Sequence, residues 1–160
     1  MNENIVFALA LASALGSGLM AGVLFAFSTF VMRALARQPA AHGIAAMQSI
    51  NVTVINPLFM ASFFGTAAAC AIVTLSLLLS WHRPGGGFLL VGSLLYLFGT
   101  ILVTIVFNVP RNEALAAVDP ASAEGARLWA GYVPGWTAWN HVRTAAALAA
   151  AAVLSIALRH

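Results

Sequence analysis

Apolar positions in this chain gather into four long blocks, Ile5 to Met32, Pro57 to Ser80, Phe88 to Phe107 and Gly135 to Leu158, with no alternation of polar and apolar residues inside them. Each block reaches the roughly 20 residues that a helix needs to cross a hydrocarbon layer about 30 Å thick. In lipid the backbone must satisfy its own hydrogen bonds, and without a period-two pattern a closed barrel is not an option. The pattern therefore predicts an all-α fold: a four-helix transmembrane bundle occupying residues 1–160 as one integral membrane domain, with short amphipathic helices in the 1-2 and 3-4 connections.

Polar residues concentrate between the blocks. The first block ends at Arg33, with Arg37 one turn later, and "RQPAAHG" follows. "PAAHGIAAMQSINVTVI" carries Gln48, Asn51 and Thr53 among apolar residues, which predicts a partly amphipathic helix lying at the membrane surface or leading into the second span. Asn56-Pro57 then breaks the run, because a residue before proline is biased away from helix. "WHRPGGG" reads as a tight turn with an interfacial Trp81, and "NVPRNEAL" as the end of the third span. In the last connection Asp119-Pro120 predicts a short helix start, with Trp129 and Tyr132 at headgroup level and Pro134 opening the fourth span. Gly18 and Gly22 have the small-xxx-small spacing that suits close helix approach, either within the chain or in a homo-oligomer.

Composition agrees with a membrane location: 62% of residues are apolar and 7% charged, against about a quarter charged in soluble domains. All seven basic residues are arginines, scattered and offset by four acids, so the basic pI does not mark a nucleic-acid surface. The single cysteine, Cys70, has no partner in the chain and reads as packing. "MNEN" lacks a positive n-region and the first block is too long for a signal-peptide core, so it is read as a retained span. Arg33, Arg37, Arg111, Arg127 and Arg143 flank the longer connections against Arg83 and Arg159 at the other side, which favours cytoplasmic long connections, in the cytoplasmic membrane of a bacterium.

The chemistry concentrates in "WTAWNHVRTAAAL". On a wheel of about 100° per residue, Trp136, Asn140 and Arg143 form a narrow i, i+4, i+7 stripe on a helix whose opposite face is alanine, leucine and valine. At 1.5 Å per residue, Arg143 to Leu158 covers only about 22 Å, so the guanidinium starts below the near interface and must snorkel or find partners. A bare charge there costs at least ~2.5 kcal/mol. Asn108, Asn112 and Glu113 at the end of the third span are the expected partners. From these residues alone, a structural clamp and a ligand site are both open. His141 is a lone histidine with no companion at metal-ligand spacing, so no metal site is predicted; an axial haem ligand, a proton-transfer group and a structural residue are its readings. His42, His82 and His160 fall in connections or the tail and read as surface residues.

Three stretches, "GLMAGVLFAFSTFVMRAL", "NVPRNEAL" and "WTAWNHVRTAAAL", give the chain a likeness that covers nearly its whole length. It resembles the anthrone oxygenase-like family of small four-helix membrane proteins, much of which is otherwise a domain of unknown function. The family pattern is matched by Asn112 after the third span and by Trp136, Asn140 and Arg143 on the fourth. The resemblance implies a membrane-embedded pocket at the ends of spans three and four, where oxygen converts an acidic anthrone to its quinone without an evident cofactor. It implies Arg143, Asn140 and Asn112 as the hole for the anion, with His141 the nearest base.

On this reading His141, Arg143 and Asn140 carry the catalysis, and Asn108, Asn112, Trp136 and Trp139 bind substrate. No cofactor is expected, haem through His141 being the alternative. The expected partners are the lipid bilayer, a lipophilic aromatic or quinone-like small molecule and a second copy of the chain, and no nucleic acid. A non-catalytic membrane subunit or assembly protein whose polar cluster is a clamp is the competing reading, and transport through an oligomer a third.

Overall fold

The computed structural model describes residues 2–79 and 85–159, and every described element is helical. Five helices follow one another: α1 (Glu3–Ala36), α2 (Ala40–Thr53), α3 (Pro57–Leu79), α4 (Gly86–Ala116) and α5 (Ala123–Ala157). All but α2 are long and apolar enough to cross a membrane. The turn expected at "WHRPGGG", with Trp81 and His82, lies largely outside the described residues, as do Arg83 and His160.

The helix ends are set by short side chains. Asn2 Oδ1 accepts from the Asn4 amide at 3.1 Å to begin α1. Asn56 Oδ1 accepts from the Phe59 amide at 3.0 Å, so Asn56-Pro57 both stops the preceding run and caps α3. The start of α5 falls later than Asp119-Pro120. Asp119 Oδ1 takes the Ala121 amide at 2.9 Å and bends the chain there, and Ser122 Oγ takes the Gly125 amide at 2.9 Å, so the helix starts at Ala123.

The spanning helices are neighbours in the cyclic order α1, α3, α4, α5 and back to α1, an up-and-down bundle. Buried Cys70, Val73, Leu77, Tyr96 and Leu154 fill its middle. Small residues bring the helices close there: a Cβ on Gly92 would stand 2.6 Å from Leu154 Cγ, and one on Gly16 would collide with Thr66 Oγ1. Gly18 and Gly22 take no comparable part. Nothing outside its own helix lies within 4 Å of a Cβ built at Gly22, and at Gly18 only Ala151 does, at 3.9 Å.

Three helices are longer than the sequence pattern predicts. The third span does not end at "NVPRNEAL", because α4 continues to Ala116, and no separate short helix precedes the fourth span, because α5 is one 35-residue helix with Pro134 inside it. Proline in a helix removes one intrahelical bond, a loss that membrane helices tolerate where neighbours or water meet the freed carbonyl. At 1.5 Å per residue, α5 is about 52 Å long and the 23-residue α3 about 34 Å, so α1, α4 and α5 overshoot the hydrocarbon on the side of the two long connections.

There α2 folds across them to make a cap. Met32, Ile44, Met47, Leu115, Trp129, Tyr132 and Trp136 form its own apolar core. Gly43 of α2 touches both the Leu35 carbonyl and the Trp129 ring so closely that a Cβ would stand 2.9 Å from each. Gln48 Nε2 donates to the Leu115 and Val118 carbonyls at 2.8 and 3.0 Å, supplying the end of α4 with partners that the helix itself lacks.

Candidate functional site

Where the cap meets the bundle, α1, α4 and α5 stay joined while α3 stands apart from the last turns of α4. Three stretches lose their α-helical register near this level: Phe27–Val31 in α1, and Leu97–Leu102 and Thr104–Asn108 in α4, all π-helical. Such turns widen a helix by one residue and recur at functional sites. Here they carry Ser28 and Thr104, the two hydroxyls that meet the polar stripe of α5.

That stripe is buried: Trp136, Asn140 and Arg143 face inward, and Ala147, Ala150 and Leu154 continue the same face into the bundle. Asn140 is engaged at both ends of its amide. Its Nδ2 donates to the Leu24 carbonyl and to Ser28 Oγ, both at 2.7 Å, and its Oδ1 accepts from Arg143 Nη2 at 2.6 Å. The Thr144 hydroxyl donates to the Asn140 carbonyl at 2.8 Å, so in the 3.1 Å contact between Ser28 and Thr144 the proton belongs to Ser28. Thr104 likewise donates to the Thr100 carbonyl at 2.6 Å and therefore accepts from Arg143 Nη1 at 3.1 Å. Asn140 and Thr104 thus present oxygen, and only oxygen, to the guanidinium.

Arg143 is 6% exposed, with its guanidinium carbon 5.2 Å from the centre of the Trp136 ring. Its hydrogen-bond partners are an amide and a hydroxyl, both neutral, and its Nε is buried with no partner. The partners expected for it are engaged elsewhere. Asn108 is buried and donates to the Trp136 carbonyl at 3.2 Å; Asn112 Oδ1 accepts from Tyr132 Oη and Trp136 Nε1, each at 2.8 Å; Glu113 is exposed. The expectation of a direct clamp from Arg143 to Asn108, Asn112 or Glu113 is therefore corrected. A π-turn hydroxyl and the residue one turn back on its own helix hold the guanidinium instead.

Beside it lies a cavity of about 320 Å³, at the small end of the roughly 300–1,000 Å³ range of ligand pockets. Arg143, Trp136, Asn112, Thr104 and Asn51 supply its polar edge, and Phe27, Phe59, Phe63, Met20, Met47 and Met60 much of its apolar wall. No Asp, Glu or His lines it. Arg143 thus stands with neutral partners only beside a largely apolar volume.

Of the residues singled out from sequence, Arg143, Trp136 and Asn112 reach the cavity, and Asn140 and Asn108 stand behind them. Trp139 does not line it; the ring stacks on Phe107 with centroids 3.5 Å apart and planes 6° from parallel. His141 does not line it either. It is exposed on the outer side of α5, so neither a proton-transfer role nor a haem ligand facing this cavity is open to it. Among the described residues no three His, Cys, Asp or Glu side chains come together as a metal site. Ser28, Thr104 and Asn51 were missed: each is a polar residue inside an apolar run, and Asn51 was read only as part of an amphipathic helix.

A family model described as anthrone oxygenase matches residues 58–153, well over half of the chain, so the chain belongs to that family. Neither the curated proteins nor the solved structures yield a match.

Proposed function

We propose, with membership of the anthrone oxygenase family as the premise, that the cavity beside Arg143 binds an anthrone or a comparably acidic fused-ring aromatic and promotes its oxidation by molecular oxygen. The observation that carries this reading is the buried Arg143 side chain on the wall of an aromatic-lined cavity, its guanidinium held by two neutral partners.

An anthrone carries a methylene between its rings whose proton is acidic, because its loss delocalises charge onto the ring oxygen. A fixed cation at that oxygen stabilises the anion where charge develops and costs no reorganisation, since Asn140 and Thr104 already hold the guanidinium. With no carboxylate or imidazole on the cavity wall, Arg143 acts by acidifying the bound substrate, and the proton leaves to water rather than to His141. The anion then passes an electron to oxygen. Recombination at the former methylene carbon gives a hydroperoxide, and loss of water leaves a carbonyl, so that CH2 and O2 become C=O and H2O.

The test is oxygen uptake by detergent-purified protein supplied with an anthrone, for wild type and Arg143→Ala at matched folded fraction. A fall of about a hundredfold or more supports the reading. Equal rates overturn it. The clamp reading has its own support, since Asn140, Ser28 and Thr104 tie α1, α4 and α5 together; a lowered melting temperature with unchanged uptake favours it.

A further inference from the structure

We propose that the cavity is filled sideways from the hydrocarbon layer, through a slot between the first half of α3 and the Thr104–Asn108 turn of α4, by a ligand that travels dissolved in the bilayer. The route requires only the cavity, whatever reaction proceeds there.

Four residues belong to both the cavity wall and the outer surface: Ile55, Phe64, Ile105 and Val109 line the cavity and are 71, 54, 55 and 37% exposed. Phe64 lies on α3 and Ile105 and Val109 on α4, so they face each other as two rims. Among the described residues no Cα of α3 comes within 8 Å of any Cα in Thr104–Ala116, nor of any in α5. The first half of α3 is therefore braced by α1 and, through the Tyr96 hydroxyl that donates to the Phe63 carbonyl at 3.1 Å, by α4 only as far as that level; beyond it, toward Pro57, α3 and α4 part. The gap is a property of the backbone positions and not of one rotamer.

The height of the gap decides the solvent from which it opens. α3 has 23 residues, about 34 Å, little more than the hydrocarbon thickness. Phe64 is seven residues past Pro57, about 10 Å along the helix axis, which places it below the headgroups. All four rim residues are apolar. A solute crossing there leaves lipid tails, not water, and sheds no hydration shell, while a charged solute would find no polar side chain among the four rim residues. Met47, Ile50 and Asn51 of α2, with Val54 just after it, line the cavity on the cap side. The proposal therefore takes the ligand as neutral when it enters and able to ionise or offer an acceptor oxygen once beside the guanidinium.

Trp136 reports on this path, being 5% exposed and on the cavity wall. The full chain, with Trp81 and Trp139 replaced by Phe, is reconstituted in phosphatidylcholine vesicles, leaving Trp136 and the cap residue Trp129 as fluorophores. A bromoalkane dissolved in the bilayer and aqueous acrylamide are compared as quenchers, and Trp136→Phe identifies the Trp136 share. The bromoalkane should quench Trp136. Its Stern–Volmer slope should rise at least twofold in Phe64→Ala and fall by at least half in the double variant Ile105→Phe, Val109→Phe, with the acrylamide slope unmoved. Phe64 is more than half exposed, so its truncation opens the rim without hollowing the core. A bromoalkane slope shared by all three proteins, or an acrylamide slope that follows the substitutions instead, overturns the route. Neither result bears on oxygen uptake, so the proposed reaction stands or falls separately.

Discussion

The two halves of the bundle use the same helices to opposite ends. Around Cys70 and Leu154, alanine, glycine and serine let α1, α3, α4 and α5 press together, and the middle is filled. One membrane leaflet away, α3 parts from the Thr104–Asn108 turn of α4, phenylalanine, tryptophan and methionine line the space that is left, π-turns shift the register of α1 and α4, and a charged side chain lies on the cavity wall. The first half gains from contact and leaves no room for a guest. The second leaves a cavity beside a guanidinium whose partners, Asn140 and Thr104, are both neutral. Stability and binding are thereby separated along the helix axes, and substitutions at the two ends should have separable effects.

The strongest test of that separation is Arg143→Ala, for which oxygen uptake with an anthrone should fall by about 10² to 10³, the range for losing one preorganised donor to a developing anion, while the helical circular dichroism signal persists. Next is Gly92→Val in the packed half. Its new atoms meet Leu154, and overpacking of this kind costs about 1–3 kcal/mol, so the melting temperature should drop and the rate per folded molecule should hold. Ser28→Ala removes one acceptor for Asn140 and loosens the support of Arg143 by about 0.5–1.5 kcal/mol, which should appear as a roughly two- to tenfold loss in kcat/KM. Smallest is His141→Ala. With its side chain on the outer surface, uptake should stay within about twofold of wild type. A large loss there would return proton transfer to His141 and collapse the distinction between the inner and outer faces of α5.

Much of this was legible before any coordinates. Four apolar blocks can hardly be anything but helices in lipid, and the i, i+4, i+7 spacing of Trp136, Asn140 and Arg143 marks a face that cannot be left against acyl chains. The same wheel held a warning about His141. Two residues along a helix is about 200°, so His141 stands nearly opposite Arg143 whatever the chemistry of the neighbourhood. Ser28 and Thr104 were not legible, because their inward aim depends on a register shift within π-turns, and no polar period announces such a shift. The long continuous α5 was missed for a related reason: Pro134 reads as a boundary, yet packing in the cap overrides that local preference. Nor could spacing indicate that Arg143 would find Asn140 one turn back rather than "NVPRNEAL", since the winner is decided by how α4 rotates beside α5.

Gln48 has a consequence for how the molecule opens. Its amide nitrogen joins α2 to the carbonyls of Leu115 and Val118, which no helical amide serves. Lifting α2 off the cap would strip the terminus of α4 in the same event, so the two long connections should exchange their amide hydrogens together, as one cooperative unit, rather than one after the other.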